Sequence, residues 1–363
     1  MIALIPREEP SATWNYLAPV VAVALTVVAG FVLFALMGYD PIETLYHFFI
    51  SPLTSRYGLA ELLVKATPLV LIGVGLSIGF RAGVWNIGAE GQLTLGALFG
   101  GGLAIAFHES ESPLLLPAMI GLGALGGALW AAIPAFLRTH FNVNEILTSL
   151  MLTYVATLLL SALVHGPWRD PDGFNFPESR LFPDAGTMPI LLDGTRLHLG
   201  ALLAVVAVGA AWFMLSRTIL GFQVKVVGSA PRAARFAGFS EKRMVWFSLL
   251  LGGGLAGLAG LGEVAGPIGQ LVPQISPGYG FTAIIVAFLG RLHPLGVLFA
   301  GLLMALSYLG GENAQIAVGL PTAATGVFQG MLLFFVLAAD LFVRYRPSWR
   351  RGVPVASAKS ETP

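Results

Sequence analysis

Cysteine is absent from this chain and charge is scarce. With no thiol, neither a disulfide framework nor a thiolate-ligated metal site is available, and the redox compartment is unreadable. Charged residues make up 11% against 56% hydrophobic, too little polar surface to cover a soluble globule of 363 residues. A net charge of +1 leaves no electrostatic footprint for nucleic acid. There is no phosphate-binding loop of the form GxxxxGK[ST] and no HExxH metal spacing. Gly75-Leu76-Ser77-Ile78-Gly79 matches GxSxG, but inside an apolar helical run and not on the strand-to-helix turn that presents a nucleophile. His47, His108, His140, His165, His198 and His293 all fall in loops or at segment ends, so no base is at hand within the apolar runs. These absences exclude an enzyme, and neither a metal nor a cofactor is expected.

What is there is apolar length. Mean hydropathy is +0.80, and 45 glycines suit close helix packing in lipid, where small residues let backbones approach. The reading is an all-α polytopic membrane protein. Runs long enough to cross a hydrocarbon core of about 30 Å fall at 17–37, 59–80, 116–137, 146–164, 199–215, 244–261 and 327–343. Shorter runs at 93–107, 281–290 and 295–309 are bounded by Gly, Pro or polar residues, as expected of half-helices. That makes about ten segments, within a range of eight to twelve. The first lacks a cleavage pattern before Asp40 and reads as an uncleaved span. The expected organisation is an N-terminal segment 1–16, a single permeating domain 17–345 and a tail 346–363.

Lys and Arg set the orientation. If both ends are cytoplasmic and ten segments alternate, fifteen bases fall inside, among them Arg7, Arg81, Arg138, Arg232, Arg235, Arg291, Arg350, Arg351 and Lys359. Arg56, Arg169, Arg180 and Arg196 fall outside, with Lys65 unassigned, a strong positive-inside bias.

Two interruptions stand out. Phe80 to Gln92, FRAGVWNIGAEGQ, breaks a long apolar stretch with glycines, amides and a carboxylate; 262–280, GEVAGPIGQLVPQISPGYG, does the same in the second half. Non-helical backbone at bilayer depth is tolerated only inside protein or beside a wet cavity, and paired breaks in two halves point to a solute path. The candidates are Asn86, Glu90, Gln92, Gln270 and Gln274 for hydrogen bonding and Trp85, Tyr279 and Phe281 as flat apolar faces. That mixture suits a neutral polyhydroxylated or heteroaromatic solute. Glu90 reads equally as a ligand for backbone amides at a helix start, and Gln270 and Gln274 equally as groups facing outside water. Asn142 and Glu145 have capping-box spacing. Asp340 stands four residues before Arg344, a pairing distance.

Two loops are long. The outer one, 165–198, carries Asp170, Asp172, Glu178, Asp184 and Asp193 and reads either as an ordered cap and docking surface or as a solvated connector. The inner one, 216–243, contains SAPRAARFAG. Ser229 is placed to cap a helix starting at Ala230, Pro231 suits its first turn, and Gly238 can supply a left-handed stop. Arg232 and Arg235 share a face of this short helix, which is too polar and too brief to stand alone. It wants a partner surface, either protein or anionic headgroups.

The segments GLSIGFRAGVWNIGAEGQLTLGA (75–97), NEILTSLMLTY (144–154) and GFQVKVVGSAPRAARFAGFS (221–240), with the Gly-rich span 252–262, resemble the permease subunit of bacterial ABC importers. The branch is the one serving ribose, other simple sugars, nucleosides and branched-chain amino acids. The similarity covers roughly residues 15–345, and NIGAEGQ with the long outer loop is most similar to nucleoside and purine permeases. The resemblance implies a multi-pass chain in the bacterial inner membrane, paired with a second permease, identical or homologous, on cytoplasmic ATPase subunits that bind the ATP. An extracytoplasmic binding protein would deliver the solute. It also implies that Ser229, Ala230, Arg232, Arg235, Phe236 and Gly238 form the coupling helix seated in the ATPase. The alternative is an ion-coupled secondary transporter, which breaks helices in the same way and would draw on Glu61, Glu90, Glu145, Glu263 or Glu312.

Overall fold

A computed structural model describes residues 2–7 and 12–349. The side chains of Asp340 and Arg344, and residues Arg350, Arg351 and Lys359, lie outside what is described. The chain divides into two compact units, one of residues 1–41 and 326–363, the other of residues 42–325.

All ten expected segments are helices: α1 (Ala12–Leu36), α3 (Arg56–Arg81), α4 (Ala89–Ala106), α5 (Leu115–Phe141), α6 (Glu145–His165), α7 (Gly200–Arg217), α10 (Glu241–Glu263), α11 (Tyr279–Leu289), α12 (Pro294–Val318) and α13 (Thr322–Arg344). Among the described residues eight helices are long and apolar enough to cross a membrane, α4 and α11 being the two of the ten outside that group. One expectation is corrected. The run at 295–309 is not a half-helix, because α12 continues through Ser307, Tyr308 and Glu312 to Val318, and Glu312 is neutralised by Lys65 of α3 at 2.8 Å. The sequence reading also missed α2 (Pro41–Phe49) and α8 (Ile219–Ser229), both short; the remaining helix is α9 (Pro231–Phe236).

In the smaller unit, β1 (Ile2–Pro6) pairs antiparallel with β2 (Tyr345–Trp349) in register Leu4↔Pro347, a two-stranded ribbon that hydropathy gives no sign of. In the same unit Trp14 of α1 stacks on Phe342 of α13 with ring centroids 5.1 Å apart.

In the larger unit α3 and α10 are the central helices, buried along most of their length. α3 packs on α7, α10, α11 and α12, and α10 packs on α4 and α5. Where α4, α5 and α10 cross, Gly96, Gly127 and Gly257 put backbone against backbone, and a Cβ at any of them would collide. The contact is glycine on glycine because apolar bulk gains nothing over lipid, whereas close approach gains dispersion contact.

Helix ends are set locally. Ser55 accepts from the Gly58 amide at 2.9 Å, Asn144 from Ile146 at 2.8 Å and Ser240 from Arg243 at 3.3 Å, each starting a helix. The capping-box reading of Asn142 and Glu145 is corrected: Asn142, at φ 54°, ends α5, and Asn144 is the cap of α6. Asn tolerates the left-handed position that a helix stop needs.

Candidate functional site: a junction of two broken crossings

α3 stops at Arg81, and Gly83 at φ 72° turns the chain back, with the Val84 amide donating to the Gly79 carbonyl at 2.9 Å. The segment that follows is closed by its own amides. Asn86 Nδ2 donates to Gln92 Oε1 at 2.8 Å, Gln92 Nε2 returns a bond to Asn86 Oδ1 at 3.1 Å, and the Gly88 amide donates to that same oxygen at 3.1 Å. Both side chains are buried. The Ile87 amide donates to Ser149 Oγ of α6 at 3.2 Å. Glu145 accepts from the Trp85 amide at 3.3 Å and pairs with Arg138 of α5, while Arg81 Nε donates to the Leu292 carbonyl at 2.8 Å. Loops 81–88, 138–145 and 290–293 are thereby gathered at one end of the unit, as the ten-segment alternation requires. Trp85 lies with Phe80 and Phe288, ring centroids 5.0 and 5.9 Å away.

The second break is longer. α10 ends at Glu263 and passes into one π turn, Val264–Ile268, in which the Gly269 amide reaches the Val264 carbonyl at 2.9 Å. Pro267 lacks the donor an α-turn would use there. The chain then runs non-helically to Gly278. It is strapped from outside by the outer loop: the amides of Ser179, Phe182 and Met188 donate to the carbonyls of Leu271, Gly269 and Ala265 at 2.9, 2.9 and 2.7 Å. The Leu271 amide donates to Ser179 Oγ at 2.9 Å and Gln270 Nε2 to Glu178 Oε2 at 2.8 Å. The outer loop is therefore an ordered cap and not a solvated connector. Ser276 Oγ accepts from the amides of Gly278 and Tyr279 at 3.0 and 2.9 Å and starts α11.

The two breaks meet. The Gly280 amide, in the first turn of α11, donates to Glu90 Oε2 in the first turn of α4 at 2.6 Å. Glu90 thus does bond an amide at a helix start, that of the opposite half. Gly280 is required there, because a Cβ would strike the Ala89–Glu90 backbone. Two positive helix ends converge on one carboxylate, an arrangement that favours negative charge.

Of the eight sequence candidates, Asn86, Glu90 and Gln92 gather around the first break, with Tyr279 following the second and Trp85 in the aromatic group near Leu292. Gln270 is engaged by Glu178 instead, Gln274 Nε2 reaches the Ser276 carbonyl at 3.5 Å, and Phe281 is 40% exposed. Ser276, Gly280 and Ser149 were missed. The Ser276–Tyr279 spacing was a readable cap signal, whereas nothing local marks Gly280 or Ser149.

On the outer-loop end, Arg196 makes a two-point ion pair with Glu61 of α3, at 2.9 and 2.5 Å. His198 is buried beside it: its Nδ1 accepts from the Gly200 amide at 3.1 Å, and its ring packs against Gly266. Burial pushes His198 down to about 4, with Glu61 opposing the shift. His293, in the loop before α12, is also lowered, by burial and then by Arg81.

In the inner loop, α9 is shorter than expected. Ser229 does not cap it, because its hydroxyl donates to the Lys225 carbonyl at 2.8 Å and it belongs to the end of α8; Ala230 holds the cap position. Gly238, at φ 78°, is the left-handed stop as expected. Ala234 faces in, Arg232 is exposed, Arg235 pairs with Glu241 at 3.3 Å, and Phe236 is 95% exposed. Phe236 is thus bare on a helix that also carries Arg232 and Arg235.

Residues 58–337 match the family described as branched-chain amino acid transport system, permease component. The chain is 41% identical to a glucose ABC transporter permease protein of Haloferax volcanii, over 95% of this chain and 93% of that one. It is 29% identical to a nucleoside ABC transporter permease protein of Lactococcus lactis, over 89% and 91% of the two chains. With a guanosine ABC transporter permease protein of Bacillus subtilis it shares 28%, over 91% and 95%. No solved structure matches this chain.

Proposed function

The chain belongs to the branched-chain amino acid transport permease family, and from that premise we propose that it forms the translocation path for a simple sugar or a nucleoside. It is a multi-pass ABC transporter permease and not an enzyme. The observation that carries the path is the junction of Glu90 with Gly280, where interrupted crossings from the two halves meet. In transporters built from two halves, such paired breaks bound the solute site. Trp85, Asn86, Gln92, Gln274, Tyr279 and Phe281 line the path around it, and Gln270 lies at its outer-loop end. The glucose permease at 41% identity favours a sugar as the first candidate, and the nucleoside and guanosine permeases keep a nucleoside as the second.

The power comes from a separate ATPase subunit, seated on Arg232, Arg235 and Phe236 of α9 with Ser229, Ala230 and Gly238 at its borders. A second permease completes the channel, and an extracytoplasmic binding protein docks on the ordered outer loop. Both termini are cytoplasmic and the membrane is the inner one, in keeping with the Lys and Arg distribution.

The experiment is to tag the C-terminus, extract the chain gently from its native membrane and identify what copurifies, then to measure uptake of D-glucose and guanosine in vesicles. An ATPase in stoichiometric yield, lost in the Arg232→Glu/Arg235→Glu double variant, is the expected result. A solitary chain that supports uptake without ATP would overturn the proposal in favour of an ion-coupled carrier.

A further inference from the structure

Glu263 closes α10 and is 7% exposed as a residue. The other acids on helices α3 to α12 each have a partner: Glu61 has Arg196, Glu90 the Gly280 amide, Glu145 has Arg138, Glu241 has Arg235 and Glu312 has Lys65. Glu263 has neither a hydrogen bond nor an ion pair among the described residues. A buried carboxylate left in that state is destabilising, and such a group in a native fold calls for an explanation. Tyr279 is the second case. It is 4% exposed, its backbone amide is held by Ser276, and its hydroxyl has no partner among the described residues. Its ring stands edge-on to Tyr308, centroids 5.4 Å apart, and the Tyr308 hydroxyl is satisfied by Thr282 at 2.7 Å.

Gly260, one turn before Glu263, lies against the Leu93 backbone one turn after Glu90, and Gly280, next to Tyr279, donates to Glu90, so Glu263 and Tyr279 belong to the same junction, yet they do not hydrogen-bond each other. An acceptor and a phenol so placed are each open to a third group that donates to one and bonds the other. The π turn that follows Glu263 is the kind of helix defect that recurs at functional sites. The surroundings select the chemistry. Lys65 and Arg196 are within electrostatic range of Glu263 but already neutralised by Glu312 and Glu61, and Glu90 is a further carboxylate in range, so among the described residues in range no unpaired cation is left to receive an anionic solute. An anionic solute is repelled by Glu263 itself. Hydroxyl donors satisfy the carboxylate without adding charge.

We propose that Glu263 and Tyr279 are the specificity-determining clamp of the path, the carboxylate accepting from hydroxyls of a neutral sugar or ribose ring and the phenol bonding a further ring oxygen. The inference rests on the reading that this chain conducts such a solute.

The test uses the full complex in proteoliposomes, with the binding protein saturated by D-glucose or guanosine and then by the monodeoxy analogues of whichever is imported. The wild type should import at least one monodeoxy analogue about tenfold or more slowly than its parent, because a site built to bond a hydroxyl rejects the molecule that lacks it. In Glu263→Ala that ratio should fall towards one, with Glu263→Gln intermediate and Tyr279→Phe altering the preference at a different hydroxyl. A ratio unchanged from wild type, or an equal loss for parent and analogues, would overturn the clamp and leave Glu263 a structural acid. Should Glu263→Ala fail to assemble, Glu263→Gln and Tyr279→Phe decide by the same ratio. Wild-type uptake of neither probe would overturn the solute reading, and the clamp with it.

Discussion

The break between α3 and α4 is closed chiefly by its own side chains, with Glu145 and Ser149 of α6 taking the Trp85 and Ile87 amides, whereas the break between α10 and α11 is held chiefly by the outer loop. In the first, Asn86 and Gln92 exchange two hydrogen bonds and a single glycine turn suffices. In the second, a π turn and ten further residues reach α11 only because Ser179, Phe182 and Met188 of the outer loop take up backbone groups that no helix satisfies. Buried backbone must be paired by something. A short break can do so internally, and a long one borrows partners. The borrowed partners sit on the loop proposed to receive the binding protein, so an event at that surface reaches the second break directly and the first through Glu90 and Gly280 and through the packing of α10 on α4.

The most damaging change is at the point where the two meet. Gly280→Leu drives a side chain into the Glu90 backbone; the expected outcome is loss of folded, monodisperse protein, read by size-exclusion yield. Glu90→Ala is milder and leaves the Gly280 amide buried without an acceptor, at a cost of about 1–3 kcal/mol. Its thermal midpoint should fall, and Glu90→Gln, which still offers an oxygen, should recover much of it. Equal behaviour of the two variants would show that the junction does not depend on that bond.

The outer strap should also be the acid-sensitive region. The folded state holds His198 down to about 4, so the unfolded chain binds more protons between that value and the ordinary one near 6.5, and stability falls as pH drops through that window. The loss should be about 1 kcal/mol between about pH 7 and about pH 5.5, followed by proteolysis of the outer loop. His198→Gln should flatten that dependence. The smallest effect belongs to the first break. A double-mutant cycle on Asn86→Ala and Gln92→Ala should give a coupling of about 0.5–1 kcal/mol, while Ser179→Ala, at a similar cost, should slow binding-protein-dependent uptake. If Asn86→Ala slowed uptake and Ser179→Ala did not, the contrast between self-closed and externally held breaks would be reversed.

Much of this architecture was legible in the chain. Hydropathy located ten helices, and the glycines and prolines of 80–92 and 262–280 located both breaks, because lipid imposes its cost residue by residue along the sequence. The errors have physical causes. α12 looked short because Glu312 interrupts an apolar run, and only Lys65 on another helix makes it tolerable. Asn142 looked like a cap because spacing does not distinguish the end of one helix from the start of the next three residues on. Gln270 remains a path candidate, and its bond to Glu178 was not legible because an amide in a glycine-rich break has the same composition whatever it faces.

The sequence by itself determined the class, the helical spans and the positions where helices must break, since each depends on residues that are neighbours along the chain. Tertiary structure alone decided which groups meet. Glu90 finds Gly280 across 190 positions, Arg196 finds Glu61 across 135 and Gln270 finds Glu178 across 92. It also decided that the Glu263 carboxylate and the Tyr279 hydroxyl find no hydrogen-bond partner among the described residues. Pairings over such distances are set by how the helices pack, and in this protein by the glycines that let α4, α5 and α10 come into backbone contact.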